Sequence, residues 1–130
     1  MKTTERWWGG HYMLANKCRF RRNTLIEGDA KDQRVVVSTV GALVIDGKVE
    51  TIGAFGRYYE TMAFKAKDIA GYIDADVSNE LRFESNWCIC ADNHKTLPPC
   101  VDNVANEMHD AVVAEFVAKM SNPGKPITGQ

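Results

Sequence analysis

No apolar run in these 130 residues approaches the roughly 20 needed to cross a bilayer as a helix. The opening stretch, MKTTERWWGGHYMLANK, has no continuous apolar core and no small-residue cleavage site. No membrane partner and no signal peptide are therefore expected, and the cytosol is the expected compartment. A basic surplus is also missing: 16 Lys and Arg stand against 17 Asp and Glu, for a formal charge of −1. Proteins that grip long nucleic acid neutralise many phosphates and carry such a surplus, so no long nucleic-acid partner is expected.

The common catalytic signatures are absent as well. The chain holds no GxSxG, no HExxH, no phosphate-loop glycine pattern and no GxGxxG after a strand. Its three histidines, 11, 94 and 109, lie in unrelated contexts. His109 is next to Asp110, but consecutive helix residues do not face each other, so it reads as a solvated or half-buried side chain rather than a general base. No enzyme is expected. The four cysteines, 18, 88, 90 and 100, lack paired CxxC knuckles. Cys88, Cys90, His94 and Cys100 could in principle surround a zinc ion, but Cys88 and Cys90 in a strand would simply share one buried face. Reduced structural thiols are preferred, with no metal and no cofactor.

What remains is an ordinary globular composition, 45% hydrophobic and 25% charged, in a length suited to one domain. QRVVVSTVGALVI is a β-branched run typical of a central strand, and Gly41 within it marks a bulge or a close backbone approach. Asp46-Gly47 between apolar runs marks a tight hairpin turn. KCRFRRNTLIE, GRYYETMAFKAK and GYIDADVSNELRFES supply further strands, the last two separated by a turn around Asp68–Gly71. In CVDNVANEMHDAVVAEFVAKM the period changes. Val101, Val104, Ala105, Met108, Val112, Phe116 and Met120 recur at three- and four-residue spacing, as in an amphipathic helix. Asp102 suits its N-cap, and Asn122 with Pro123-Gly124 its end. The expected fold is α+β: an antiparallel meander of about five strands packed by a C-terminal amphipathic helix. Residues 1–130 form one domain, with 1–16 an arm, 17–90 the sheet, 100–121 the helix and 122–130 a flexible tail.

Binding chemistry has more support than catalysis. In GRYYETMAF, alternation puts Tyr58, Glu60, Met62 and Phe64 on one side and Arg57, Tyr59, Thr61 and Ala63 on the other. Neither face is plainly solvent or plainly core. Arg57 suits an anionic group, Tyr59 a stacked base, and Glu60 a ribose hydroxyl; the bland reading pairs Glu60 with a neighbouring arginine and half-buries the tyrosines. In RFRRN, Arg19, Arg21 and Asn23 share a face opposite Phe20 and Arg22. Guanidinium forks there suit phosphate oxygens, or else protect a solvated edge. Arg82, Phe83, Asn86 and Trp87 repeat the mixture of charge, amide and ring in ELRFESNW. Asn106 and Asp110 lie one helical turn apart, a solvated face unless the helix borders a pocket. Arg6-Trp7-Trp8 suits either docking against another subunit or burial under the sheet.

In their order along the chain, FRRNTLIE, RVVVSTVGA, YYETMAF, DADV and ANEMHDAVVAE resemble phage anti-Thoeris sponge proteins of the first described type, over about residues 17–120. The resemblance implies a non-catalytic phage protein acting in the host bacterial cytoplasm. Such proteins sequester cyclic ADP-ribose isomers made by TIR-domain proteins, and some also trap cyclic oligonucleotides. It further implies an antiparallel sheet with C-terminal helical structure, and oligomers whose pockets lie near subunit contacts. Arginines on the diphosphate, a ring on the adenine and acidic or amide groups on the riboses are the implied recognition style. The positions that match in type are Arg21, Arg22, Asn23, Arg57, Tyr59, Glu60, Phe83, Trp87, Asn106 and Asp110. His109 stands where a helix arginine would be expected, and the cysteines around Trp87 have no counterpart role. Two other classes stay open: a phage inhibitor acting by protein contact, of anti-CRISPR or anti-restriction type, and a small nucleotide enzyme.

Overall fold

The computed structural model describes residues 1–7, 11, 15–30, 32–53, 56–90 and 101–121. Trp8, His94, Cys100, the helix stop at 122–124 and the tail lie outside them. Among the described residues seven strands form one open antiparallel sheet in the order β1-β2-β3-β5-β6, with β4 on β3 and β7 on β5. The strands are β1 (Lys2–Arg6), β2 (Cys18–Glu27), β3 (Arg34–Ile45), β4 (Lys48–Glu50), β5 (Arg57–Ile69), β6 (Tyr72–Leu81) and β7 (Cys88–Cys90); a 3-10 turn precedes β2 at Ala15–Lys17, and α1 spans Asp102–Met120. The sheet and its C-terminal helix form the expected α+β fold.

The turns follow from their residues. Asp46 and Gly47 both take positive φ, 52° and 78°, as a two-residue hairpin of this hand requires; Ile45 pairs with Lys48 across it. Ala70 and Gly71 repeat the geometry at 51° and 88° between β5 and β6. Gly41 is a close approach: a Cβ there would lie 2.2 Å from the Tyr59 ring.

β3 is almost wholly buried because both its faces are covered. On one face Ile26, Val35, Val37, Ala63 and Leu81 meet Val112, Phe116 and Met120 of α1. On the other, Leu25, Val36, Phe64 and Ala75 form a second cluster. The N-terminal half of α1 docks as well, Ala105 and Met108 meeting Phe20, Ala42, Tyr59 and Ile89, and each large apolar side chain buried contributes roughly 1.5–3 kcal/mol.

Three expectations need correction. The segment expected to be an arm contributes β1, in register from Lys2↔Glu27 to Arg6↔Asn23. KTTER carries no apolar period to announce it, so ladder hydrogen bonds and Glu5 hold it. The helix N-cap is Val101, with no side-chain cap bond. Asp102 is already helical, and its carboxylate is used by Tyr59 and Arg19 instead. His109 is fully buried, one of the residues on the apolar stripe between Ala105 and Val112.

That histidine closes a directed hydrogen-bond chain. The Thr24 hydroxyl donates to the Glu5 carboxylate, so its oxygen accepts from His109 Nε2–H at 2.7 Å. This assigns Nδ1 as the acceptor for the Thr39 hydroxyl at 2.6 Å, and Thr61 completes the chain 2.6 Å from Thr39. Burial, reinforced by the Arg22 charge and only partly opposed by Glu5 and Asp110, lowers the His109 pKa to about 4. The ring is neutral at pH 7.

Candidate ligand pocket at the edge of β5

β5 pairs with β6 from Ala63 to Ile69 and with β7 from Arg57 to Glu60. Between those stretches no strand among the described residues adjoins its outer edge, and the segment Arg82–Trp87 crosses the gap. The Thr61 N–H donates to the Trp87 carbonyl at 2.7 Å, pinning the end of that segment. The space left beside it is a cavity of about 510 Å³, a size that suits a small-molecule ligand. Arg57, Glu60, Met62, Glu80, Arg82, Phe83, Glu84 and Trp87 contribute to its walls.

Arg57 organises the site. Strand alternation would set it opposite Glu60, but the register shifts between Arg57 and Tyr59 where β7 pairs. Its Nη1 comes within 3.3 Å of Glu60 Oε2, while its Cζ lies 5.1 Å from the centroid of the Trp87 ring. Its Nε–H is buried with no hydrogen-bond partner among the described residues. Trp87 itself is 44% exposed.

Glu60 is buried and held by two cations or donors. Burial alone would raise its pKa, but the His11 hydrogen bond and the charges of His11 and Arg57 outweigh it, leaving the carboxyl below its ordinary value. His11 Nε2 lies 2.9 Å from Glu60 Oε1, and Nδ1 lies 2.9 Å from Ser38 Oγ. Serine, imidazole and carboxylate in that order are also the parts of a nucleophile–base–orienter set. Ser38, however, is fully buried and does not line the cavity. The three groups form an interior hydrogen-bond chain that fixes Glu60.

The structure divides the ten candidates. Arg57, Glu60, Phe83 and Trp87 meet at the cavity. Arg22, Asn106 and Asp110 meet elsewhere, on the helix side of the sheet. Arg22 Nη1 donates to Asp110 at 2.8 Å and to Asn106 at 3.2 Å, and Nη2 to Glu5 at 2.9 Å. Burial alone would lower the Arg22 pKa, but its bonds to Glu5 and Asp110 raise it above the ordinary value. Its charge is spent on tying β1 and α1 to β2.

Tyr59 belongs to neither group. It is fully buried, edge-on to Phe20 at 5.7 Å, so its ring cannot stack on a ligand. Its hydroxyl donates to Asp102 at 2.7 Å and accepts from the Val101 N–H at 2.8 Å. Tyr59→Phe should strand that buried N–H, at a cost of about 1–3 kcal/mol. We expect a melting temperature lower by roughly 5–10 °C, read by calorimetry, with the cavity unchanged. Asn23 is buried on the face away from the helix, its Oδ1 without a hydrogen-bond partner among the described residues. Arg21 is exposed on the same side, paired with Val40, whose other neighbour is Glu60.

His11, Ser38, Glu80 and Glu84 escaped the sequence reading. The carboxylates were visible as charge within strand and loop text, but nothing local showed that they border a cavity. Among the described residues no group of three or more His, Cys, Asp or Glu is placed to hold a metal ion. No family model, curated protein or solved structure matches the chain, so the resemblance to the sponge family rests on the order of its short segments.

Proposed function

We propose that this protein is a non-catalytic sponge that binds a cyclic nucleotide immune signal in the cavity beside β5 and returns it unaltered. On this reading it is a phage protein acting in the host bacterial cytoplasm against a nucleotide-signalling defence. The observation that carries it is Arg57 at the cavity wall, its guanidinium placed between the Trp87 ring and Glu60. A guanidinium at a cavity wall offers a phosphate oxygen planar, charge-assisted donors. Arg57 and Arg82 supply the positive charge for a diphosphate, Trp87 and Phe83 the apolar surface for a base, and the glutamates the acceptors for ribose hydroxyls.

The charge balance constrains the ligand. Two guanidiniums face three carboxylates around the cavity, so a dianion is held only where Glu80 and Glu84 turn to hydroxyl groups. A sponge gains nothing from transition-state complementarity and is served by enclosure. A second copy of the chain closing the edge of β5 would supply it, in keeping with the oligomers implied by the resemblance. No helix among the described residues is long and apolar enough to cross a membrane, and no membrane partner enters this reading.

Calorimetric titration with cyclic ADP-ribose isomers and cyclic oligonucleotides is the test. At least one should bind at one site per chain and leave with its mass unchanged after heat release. Heat from none of them, or a converted product, would end the proposal. One observation favours a second reading, inhibition by protein contact: Trp7, Ile69 and Tyr72 line a groove of about 560 Å³, with Trp7 86% and Tyr72 68% exposed. A host protein retained in place of a nucleotide would support that alternative.

A further inference from the structure

Among the described residues no strand holds the cavity's outer wall. Residues Arg82–Trp87 are irregular, yet they carry both rings assigned to the ligand, Phe83 at one end and Trp87 at the other. One side chain of α1 gathers the middle of this strap. Glu115 Oε2 accepts from the Glu84 N–H at 2.8 Å, and Oε1 accepts from the Ser85 N–H at 2.9 Å and the Ser85 hydroxyl at 2.7 Å. Lys119 Nζ donates to Oε2 at 2.8 Å. Beside it, Phe83 packs edge-on against Phe116 at 6.2 Å, and beyond it the Trp87 carbonyl is fixed on β5.

We propose that Glu115 is the positioning residue of the ligand site, holding the Arg82–Trp87 strap so that Phe83 and Trp87 face the cavity together. The assignment rests on the cavity being the ligand site. The chemistry calls for a carboxylate. Four donors converge on two oxygens, whereas a glutamine has one acceptor oxygen and would turn an amide N–H toward a backbone N–H. Burial alone would raise the Glu115 pKa, but the bonds from Lys119, Glu84 and Ser85 bring it down to about 2. The carboxylate is therefore an anion at neutral pH. Because the hydrogen bonds of Glu115 among the described residues go to the strap and Lys119, its removal should free the wall without unseating the helix, which docks through Ala105, Met108, Val112, Phe116 and Met120.

Hydrogen exchange read by mass spectrometry, paired with cyclic ADP-ribose titration, tests this. In Glu115→Ala, peptides covering 83–87 should exchange about tenfold faster while those covering 104–113 keep their protection. Affinity for cyclic ADP-ribose, or for the member of the panel that binds wild type, should fall about tenfold. Glu115→Gln should fall between wild type and alanine. Lys119→Ala, which leaves both amides bound, should leave the strap within about twofold of wild type. Unchanged exchange at 83–87 in Glu115→Ala would overturn the proposal, and so would loss of protection across the sheet and helix alike, since Glu115 would then be a general stability residue. If no cyclic nucleotide binds wild type while the strap still loosens in Glu115→Ala, the ligand reading fails and the anchoring of the strap stands.

Discussion

Arg57→Ala is expected to abolish ligand retention, with affinity lower by at least about a hundredfold. A charge-assisted bond to a desolvated phosphate contributes about 1.5–3 kcal/mol, and in a site this small the loss of stacking adds to it. Trp87 loses the guanidinium that covers its ring. The ligand-free fold should tolerate the change, because Glu60 keeps its bond to His11 and the main-chain pairing of β5 with β7 does not use the side chain. The melting temperature of ligand-free protein should drop by only a few degrees. Arg57→Lys separates charge from geometry: the ammonium keeps the charge but loses the planar fork, so weak binding should return only in part. A ligand-free melting curve that collapses in Arg57→Ala would make Arg57 a structural residue and remove the main support for the pocket.

The second large effect is a loss of stability in mild acid. His109 has a folded pKa of about 4 against an ordinary 6.5. As pH falls below 6.5 the unfolded chain binds the proton while the folded chain does not, which favours unfolding. The contribution of the neutral, buried ring is complete above pH 6.5 and is lost as pH falls to about 4. Over the whole window this amounts to about 3 kcal/mol. Glu5, Glu60 and Glu115 also titrate in favour of the fold, but their folded pKa values are lowered from 4.5, so their contributions are lost mainly below that pH. The interval from pH 6.5 to 4.5 therefore separates His109 from these carboxylates. Denaturant titrations at pH 7.5, 6.0 and 5.0 should show falling stability in wild type, and a much smaller slope in His109→Gln. A flat profile in wild type would mean that the ring is protonated in the fold, against the Thr24–His109–Thr39 chain.

The strands and helix were readable because each leaves a local period. The β-branched run of β3, the Asp46-Gly47 hairpin and the three- and four-residue spacing of α1 all translate directly into structure. β1 was not readable. Lys2–Arg6 has no apolar residue, and its pairing is decided by the free edge of β2. His109 offered a signal that went unused: it continues the stripe four residues after Ala105. The site was half legible. Residue types in GRYYETMAF and ELRFESNW singled out Arg57, Glu60, Phe83 and Trp87, and the structure puts these four around one cavity. Strand alternation could not foresee that a register shift brings Arg57 across to Glu60, nor that the Tyr59 hydroxyl serves the first turn of α1. Asn106 and Asp110 were rightly placed one turn apart, but their partner proved to be Arg22. Such choices among equally polar partners are made by tertiary packing, which no short window of sequence contains.

The most direct measurement is a fluorescence titration of Trp87 in a protein carrying Trp7→Phe and Trp8→Phe, so that the ring at the cavity is the sole tryptophan. Addition of the cyclic nucleotide that binds by calorimetry should change its emission saturably, at one equivalent per chain, and Arg57→Ala should erase the change. Full binding by calorimetry with no response from Trp87 would place the ligand elsewhere and contradict the account.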